Sequence, residues 1–80
     1  MRVEVKMPNL GYDMNEGKVA AWLKQTGDQV KRGEVIAEIE TDKTTVEMES
    51  LTAGTLSEIV HAAGSVVPVG DVIAYIEVDR

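Results

Sequence analysis

The chain of 80 residues is predicted to be all-β, a flattened β-barrel/sandwich hybrid of two antiparallel sheets with quasi-twofold symmetry. Three observations carry this prediction. The sequence repeats: GKVAAWLKQTGDQVKRGEVIAEIETDK, from Gly17, lies without a gap over GTLSEIVHAAGSVVPVGDVIAYIEVDR, from Gly54, at an offset of 37. Apolar and polar residues alternate with the period of a half-buried strand. Glycines fall at matching breaks between the apolar runs, where the chain must turn. Neither half can bury its own apolar face, so two copies are expected to pack sheet on sheet. A chain of this length makes one domain, taken as 1–80 with repeat halves of about 1–43 and 44–80.

The first strand is expected where Val3, Val5 and Met7 alternate with Glu4 and Lys6. The turn-rich stretch PNLGYDMNE then leads to a strand starting near Gly17. Gly27 and Gly33 bracket a short strand around Val30, and VIAEIE forms the next. The second half repeats this plan. Val46 and Met48 oppose Thr45, Glu47 and Glu49, a strand starts at Gly54, turns fall at Gly64 and Gly70, and VIAYIE closes the chain. Gly27 and Gly64 stand where the reversal demands positive φ, which costs glycine nothing. VEVKMP matches VEMESL at an offset of 43 and not 37, so the first half carries six extra residues between its first two strands. Surplus loop residues often carry function; a neutral surface insertion is the plainer alternative.

Fourteen acids against eight bases leave a net charge of −6. This argues against nucleic acid or an anionic membrane as partner, since both need clustered Lys and Arg, and it suits a basic protein. The absence of cysteine excludes disulfides and thiolate metal sites. No stretch has the apolar length of a membrane span, and RVEVKMP is unlike a signal peptide. The expected location is cytoplasmic, or the mitochondrial matrix if a transit peptide has been removed. Nearly every apolar side chain is needed to offset the entropy of folding, which leaves little to line a catalytic cavity. His61, the one histidine, has no serine nucleophile or second ligand nearby and is read as a surface residue at a strand end. Asp28 and Asp71 are read as turn formers, and Trp22, Met7, Met14 and Met48 as packing residues. No catalytic residue or metal site is assigned.

One lysine needs another explanation. In ETDKTTVE, Lys43 lies between Asp42 and Thr44, where one strand ends and the next begins, so it is expected at the tip of a tight reversal. By the repeat, residues 41–43 correspond to 78–80, the end of the chain. Only one such hairpin is therefore expected, with Lys43 at one end of the molecule and the C-terminus near the other. A lysine there is a solubilising turn residue, or a nucleophilic amine displayed to a modifying enzyme.

From RVEVKMPNLG through EGKVAAWLKQTGDQVKRGEVIAEIETDK and GTLSEIV to VIAYIE, the chain resembles the lipoyl domains of dihydrolipoamide acyltransferase subunits of 2-oxoacid dehydrogenase complexes. That family marks its lipoylated lysine with an E-T-D-K-A-like turn, and here Glu40-Thr41-Asp42-Lys43 is followed by Thr44. Gly27, Glu40 and Gly54, respectively sixteen and three residues before the lysine and eleven after it, also match.

The resemblance implies lipoic acid in amide linkage to Lys43. The arm would carry acyl groups from a thiamin-diphosphate-dependent 2-oxoacid decarboxylase to the acyltransferase core, and electrons to dihydrolipoamide dehydrogenase. A lipoate ligase or lipoyl transferase would attach it. Asp42, Thr44, Glu40, Gly27 and Gly54 would support the hairpin or its recognition by the ligase; Glu40 reads equally well as a solvated strand-end carboxylate. The loop Asn9, Leu10, Gly11, Tyr12, Asp13, Met14, Asn15 and Glu16, with Glu40, Asp42 and Glu47, is expected to face the decarboxylase. The domain is then a carrier and not itself an enzyme, monomeric in isolation. Biotin carrier domains share the architecture but flank their lysine with methionines; glycine-cleavage carriers have longer chains; an unmodified barrel-sandwich structural module is the alternative of another class. MPNLGYDMNEG and AAWLKQTGDQV resemble pyruvate, acetoin or branched-chain systems most.

Overall fold

The structure is a computed structural model that describes residues 1–9, 15–41 and 44–78. In it the alternating segments become eight strands: β1 (Arg2–Lys6), β2 (Glu16–Trp22), β3 (Gln29–Val30), β4 (Val35–Glu40), β5 (Thr45–Glu49), β6 (Gly54–Ile59), β7 (Val66–Pro68) and β8 (Val72–Glu77). They form two four-stranded antiparallel sheets, one ordered β1-β8-β6-β3 and the other β5-β4-β2-β7. Advancing one half-repeat turns the first order into the second. Each half therefore contributes strands alternately to both sheets, so neither half is a sheet in itself.

The repeat extends to single hydrogen bonds. Gly17 faces Val67 as Gly54 faces Val30, and Val19 faces Ile39 as Leu56 faces Ile76. One extra residue bulges β2 between Val19 and Ala21, and β6 bulges at the equivalent place between Leu56 and Glu58. Bulges increase local twist and bend a strand, so their duplication curls both sheets alike into a barrel. The turn glycines behave as expected: φ is 98° at Gly27 and 95° at Gly64, with Gly33 and Gly70 also positive. Gly54 is needed for a different reason. A Cβ there would clash with the Glu77 carbonyl oxygen, so glycine lets β6 approach β8.

The core is assembled from symmetry-related pairs. Ile36 and Ile73, Ala37 and Ala74, Ile39 and Ile76, Val19 and Leu56, and Val30 and Val67 are all buried. Fully burying an isoleucine or leucine side chain contributes about 1.5–3 kcal/mol, so these pairs supply the main drive to fold. Symmetry breaks at one buried position, where Met7 on one side matches Ser50 on the other. The Ser50 hydroxyl donates to the Thr52 carbonyl, which satisfies the buried group.

A long ribbon sets the ends of the molecule apart. Residues 16–30 run antiparallel to 54–68: Gly17 faces Val67, Gly64 donates to the Val19 carbonyl, Trp22 Nε1 donates to the His61 carbonyl at 2.9 Å, Gly27 donates to the Leu56 carbonyl, and Val30 faces Gly54. The longest dimension is 37 Å. Lys18 lies opposite Glu40 at one extremity, and Thr55 opposite Glu77 at the other.

Candidate functional site

The end of the molecule marked by Glu40 carries the turn singled out in the sequence. β4 and β5 pair up to Glu40 opposite Thr45. Beyond that pair, the Thr41 amide donates to the Thr44 carbonyl at 2.7 Å, and the Thr41 hydroxyl donates to the same oxygen at 3.0 Å. The Thr44 amide in turn donates to the Thr41 hydroxyl at 3.2 Å. Two threonines thus clamp the base of a link only two residues long. Glu40, Thr44 and Thr45 are exposed, so a bulky group at this end has solvent on its flanks and no core side chain to displace.

Asp42 and Lys43 lie outside the described residues, as do Leu10, Gly11, Tyr12, Asp13 and Met14. The other sequence-derived candidates fall into two places. Glu40 and Thr44 flank the turn, and Asn15 and Glu16 are exposed at the start of β2, close to the same extremity because Lys18 lies opposite Glu40. Asn9 is exposed beyond β1, and Glu47 stands on β5 opposite Glu38. Gly27 and Gly54, by contrast, lie in the distant half of the ribbon, beside Leu56 and Val30. Any effect they have on the turn is transmitted through the frame.

Trp22 and His61 do more than the sequence suggested. Trp22 packs between both core clusters, and its indole N–H satisfies the His61 carbonyl at the centre of the ribbon. A buried indole seeks an acceptor, but which acceptor it finds depends on a contact between residues 39 apart in sequence. The shortest ion pair among the described residues lies elsewhere. Lys24 Nζ is 2.6 Å from Glu34 Oε2, which raises the lysine pKa and, with the Lys31 amide, holds the Glu34 carboxyl below its usual range. Among the described residues, no group of three metal-ligating side chains converges.

Two interleaved half-repeats, a clamped turn at one extremity and Met1 beside Val78 at the other define a barrel-sandwich carrier scaffold. Residues 3–76 match the Biotin_lipoyl family, described as "Biotin-requiring enzyme". The solution structure of the lipoyl domain of the 2-oxoglutarate dehydrogenase complex from Azotobacter vinelandii superposes with a TM-score of 0.80, at 33% identity over 98% of this chain and 99% of that one. The chain belongs to this family of biotinyl and lipoyl attachment domains, and within it is a lipoyl domain. It is 54% identical over 72 residues to the acetyltransferase component 3 of the mitochondrial pyruvate dehydrogenase complex of Arabidopsis thaliana, covering 89% of this chain and 13% of that protein. It is 49% identical over 73 residues to the succinyltransferase component of the 2-oxoglutarate dehydrogenase complex of Staphylococcus saprophyticus, covering 91% of this chain and 17% of that protein. The chain thus spans less than a fifth of the length of these two relatives. Membership fixes the cofactor class as a covalently attached lipoyl or biotin-type group.

Proposed function

We propose that this domain carries lipoic acid in amide linkage to Lys43 Nζ and serves as the swinging arm of a 2-oxoacid dehydrogenase complex. The single observation that supports it best is the clamp of Thr41 on Thr44 around a two-residue link, at the extremity away from Met1 and Val78. When attached, the group supplies a dithiolane able to accept an acyl unit and electrons, chemistry that belongs to the cofactor. The chain's own residues display, recognise and tether. Thr41 and Thr44 hold the ends of the link in register, and amide formation removes the lysine charge, which leaves the acidic residues around the turn less opposed. Tethering the arm to the assembly that holds its partner active sites gives effective concentrations of about millimolar, provided the linker spans the distance.

The partners in this reading are a thiamin-diphosphate-dependent 2-oxoacid decarboxylase, an acyltransferase core, dihydrolipoamide dehydrogenase and an attaching ligase or transferase. The loop 9–16, with Glu40, Asp42 and Glu47, faces the decarboxylase. Support comes from Asn15 and Glu16, which start β2 at the extremity of the turn. Relatives of similar identity are components of pyruvate and 2-oxoglutarate complexes, so in this reading the choice of decarboxylase is made by surface residues and not by the shared frame.

Intact mass after expression with lipoate and a lipoate ligase tests the attachment. A lipoyl increment that is lost in Lys43→Arg is expected. An unmodified chain, or a biotin increment with a biotin ligase instead, overturns the reading. Replacing the loop 9–16 with a minimal turn is expected to slow reductive acylation by purified pyruvate or 2-oxoglutarate decarboxylases while lipoylation proceeds; unchanged acylation would remove the loop from the recognition surface.

A further inference from the structure

The side of the sandwich between β1 and β5 is open. These are edge strands of different sheets, and between them lies an apolar groove of about 510 Å³ lined by Val3, Val5, Met7, Met48, Leu51 and Ile76 among others. It sits at the waist, where Lys6 lies opposite Val72 and Glu49 opposite Val35. This is well back from the clamped turn. Leu51, at its margin, is 88% exposed, the most exposed large hydrophobic among the described residues. A large aliphatic residue left in water beside an open apolar groove marks an interaction surface.

The two walls are equivalent by the repeat but differ in charge. At an offset of 43, Glu4 corresponds to Glu47, Val5 to Met48 and Lys6 to Glu49. On the β1 wall, Lys6 Nζ lies 3.6 Å from Glu4 and neutralises it. On the β5 wall Glu49 replaces that lysine, and among the described residues no cation lies within ion-pairing distance of Glu47 or Glu49. Glu47 also stands directly opposite Glu38 across the sheet. Like charges in that relation are destabilising, and a cation brought by a partner relieves them.

We propose that this groove binds a basic amphipathic helix of a partner protein, with aliphatic side chains between β1 and β5 and lysines or arginines against Glu47 and Glu49. The groove is lined by residues 3–8 on one wall and 47–52 on the other, an apolar trough with a charged rim of the kind that seats an amphipathic helix. The acidic wall repels nucleic acid and anionic lipid. The groove is separate from the attachment of any group to Lys43, and of the residues assigned above to the decarboxylase face it uses Glu47 alone.

The test uses the 80-residue chain labelled with ¹⁵N and a synthetic helical peptide with leucines on one face and lysines on the other. Amide shifts are expected to cluster at residues 3–8 and 47–52. Leu51→Asp and Glu49→Lys, both surface changes whose folding the same spectra verify, are each expected to weaken binding about tenfold. Lys43→Arg is expected to bind as tightly as the parent, which separates this inference from the lipoyl reading. The proposal is overturned if the peptide fails to bind, if its Lys→Glu counterpart binds equally well, or if the shifts lie outside the groove. It is also overturned if lipoylation alone shifts the groove residues and blocks the peptide, since the arm would then be the occupant.

Discussion

At one extremity the Thr41 amide donates to the Thr44 carbonyl and the chain runs on through two residues; at the other the Val78 amide donates to the Met1 carbonyl at the same 2.7 Å, and the strands are not joined. The two bonds are equivalents under the repeat. At the open end, the Met1 ammonium adds a 2.7 Å ion pair to Glu77 and a bond to the Val78 carbonyl; at the closed end, the Thr41 hydroxyl takes part instead. The strand pair therefore holds its register whether or not a turn joins it. A turn that the frame does not need for register is free to serve another purpose, which suits the proposed attachment at Lys43.

The largest expected effect tests how equal the halves are. Ile39→Ala and Ile76→Ala remove equivalent, fully buried side chains and are each expected to cost about 2–5 kcal/mol. Urea unfolding followed by Trp22 fluorescence should give losses similar to one another; a clear inequality would show that the core is less symmetric energetically than geometrically. Next comes closure of the open end. Joining Arg80 to Met1 places two residues, 79 and 80, between Val78 and Met1, as two lie between Thr41 and Thr44. Such a circular chain is expected to fold and to gain up to about 4 kcal/mol by restricting the unfolded state, read as a higher urea midpoint.

A smaller effect makes the closed end resemble the open one. Val78 is the counterpart of Thr41, so Thr41→Val removes the hydroxyl that bridges to Thr44 and is expected to cost about 0.5–1.5 kcal/mol. The same variant should lower the rate of lipoylation if the clamp presents Lys43 to the ligase. The smallest effect concerns the Lys24–Glu34 pair, whose counterparts in the second half are His61 and Asp71. The Lys24 side chain and the Lys31 amide lower the Glu34 pKa. Its stabilising contribution is therefore present above the unfolded-state value and lost as pH falls through the lowered folded-state value. Glu34→Gln is expected to flatten the acid limb of the stability profile slightly, and added salt should shrink the difference, since the pair is partly exposed.

Particular residues show how far the sequence could be read. The offset of 37 anticipated the shared registers of Gly17 with Val67 and Gly54 with Val30, because identical residues under identical constraints find the same partners. The alternation of Val3, Val5 and Met7 with Glu4 and Lys6 separated inward from outward side chains. The turn motif around Lys43 was visible as a pattern of residue types, and family membership now rests on the match over residues 3–76 and on the shared architecture. The Thr41–Thr44 clamp was not visible, since two threonines three apart in a turn have many other hydrogen-bonding choices.

Sequence by itself determined the strands, the positive-φ glycines, the two-copy plan and the turn between β4 and β5. All of these follow from local sterics and from a periodicity that repeats along the chain. Only the tertiary structure decided that each half divides its strands between both sheets, that Gly54 must admit the Glu77 backbone, that Trp22 bonds to His61, and that β1 and β5 leave an open groove between them. Those features depend on which distant segments meet, and periodicity along a strand carries no information about its neighbour across space.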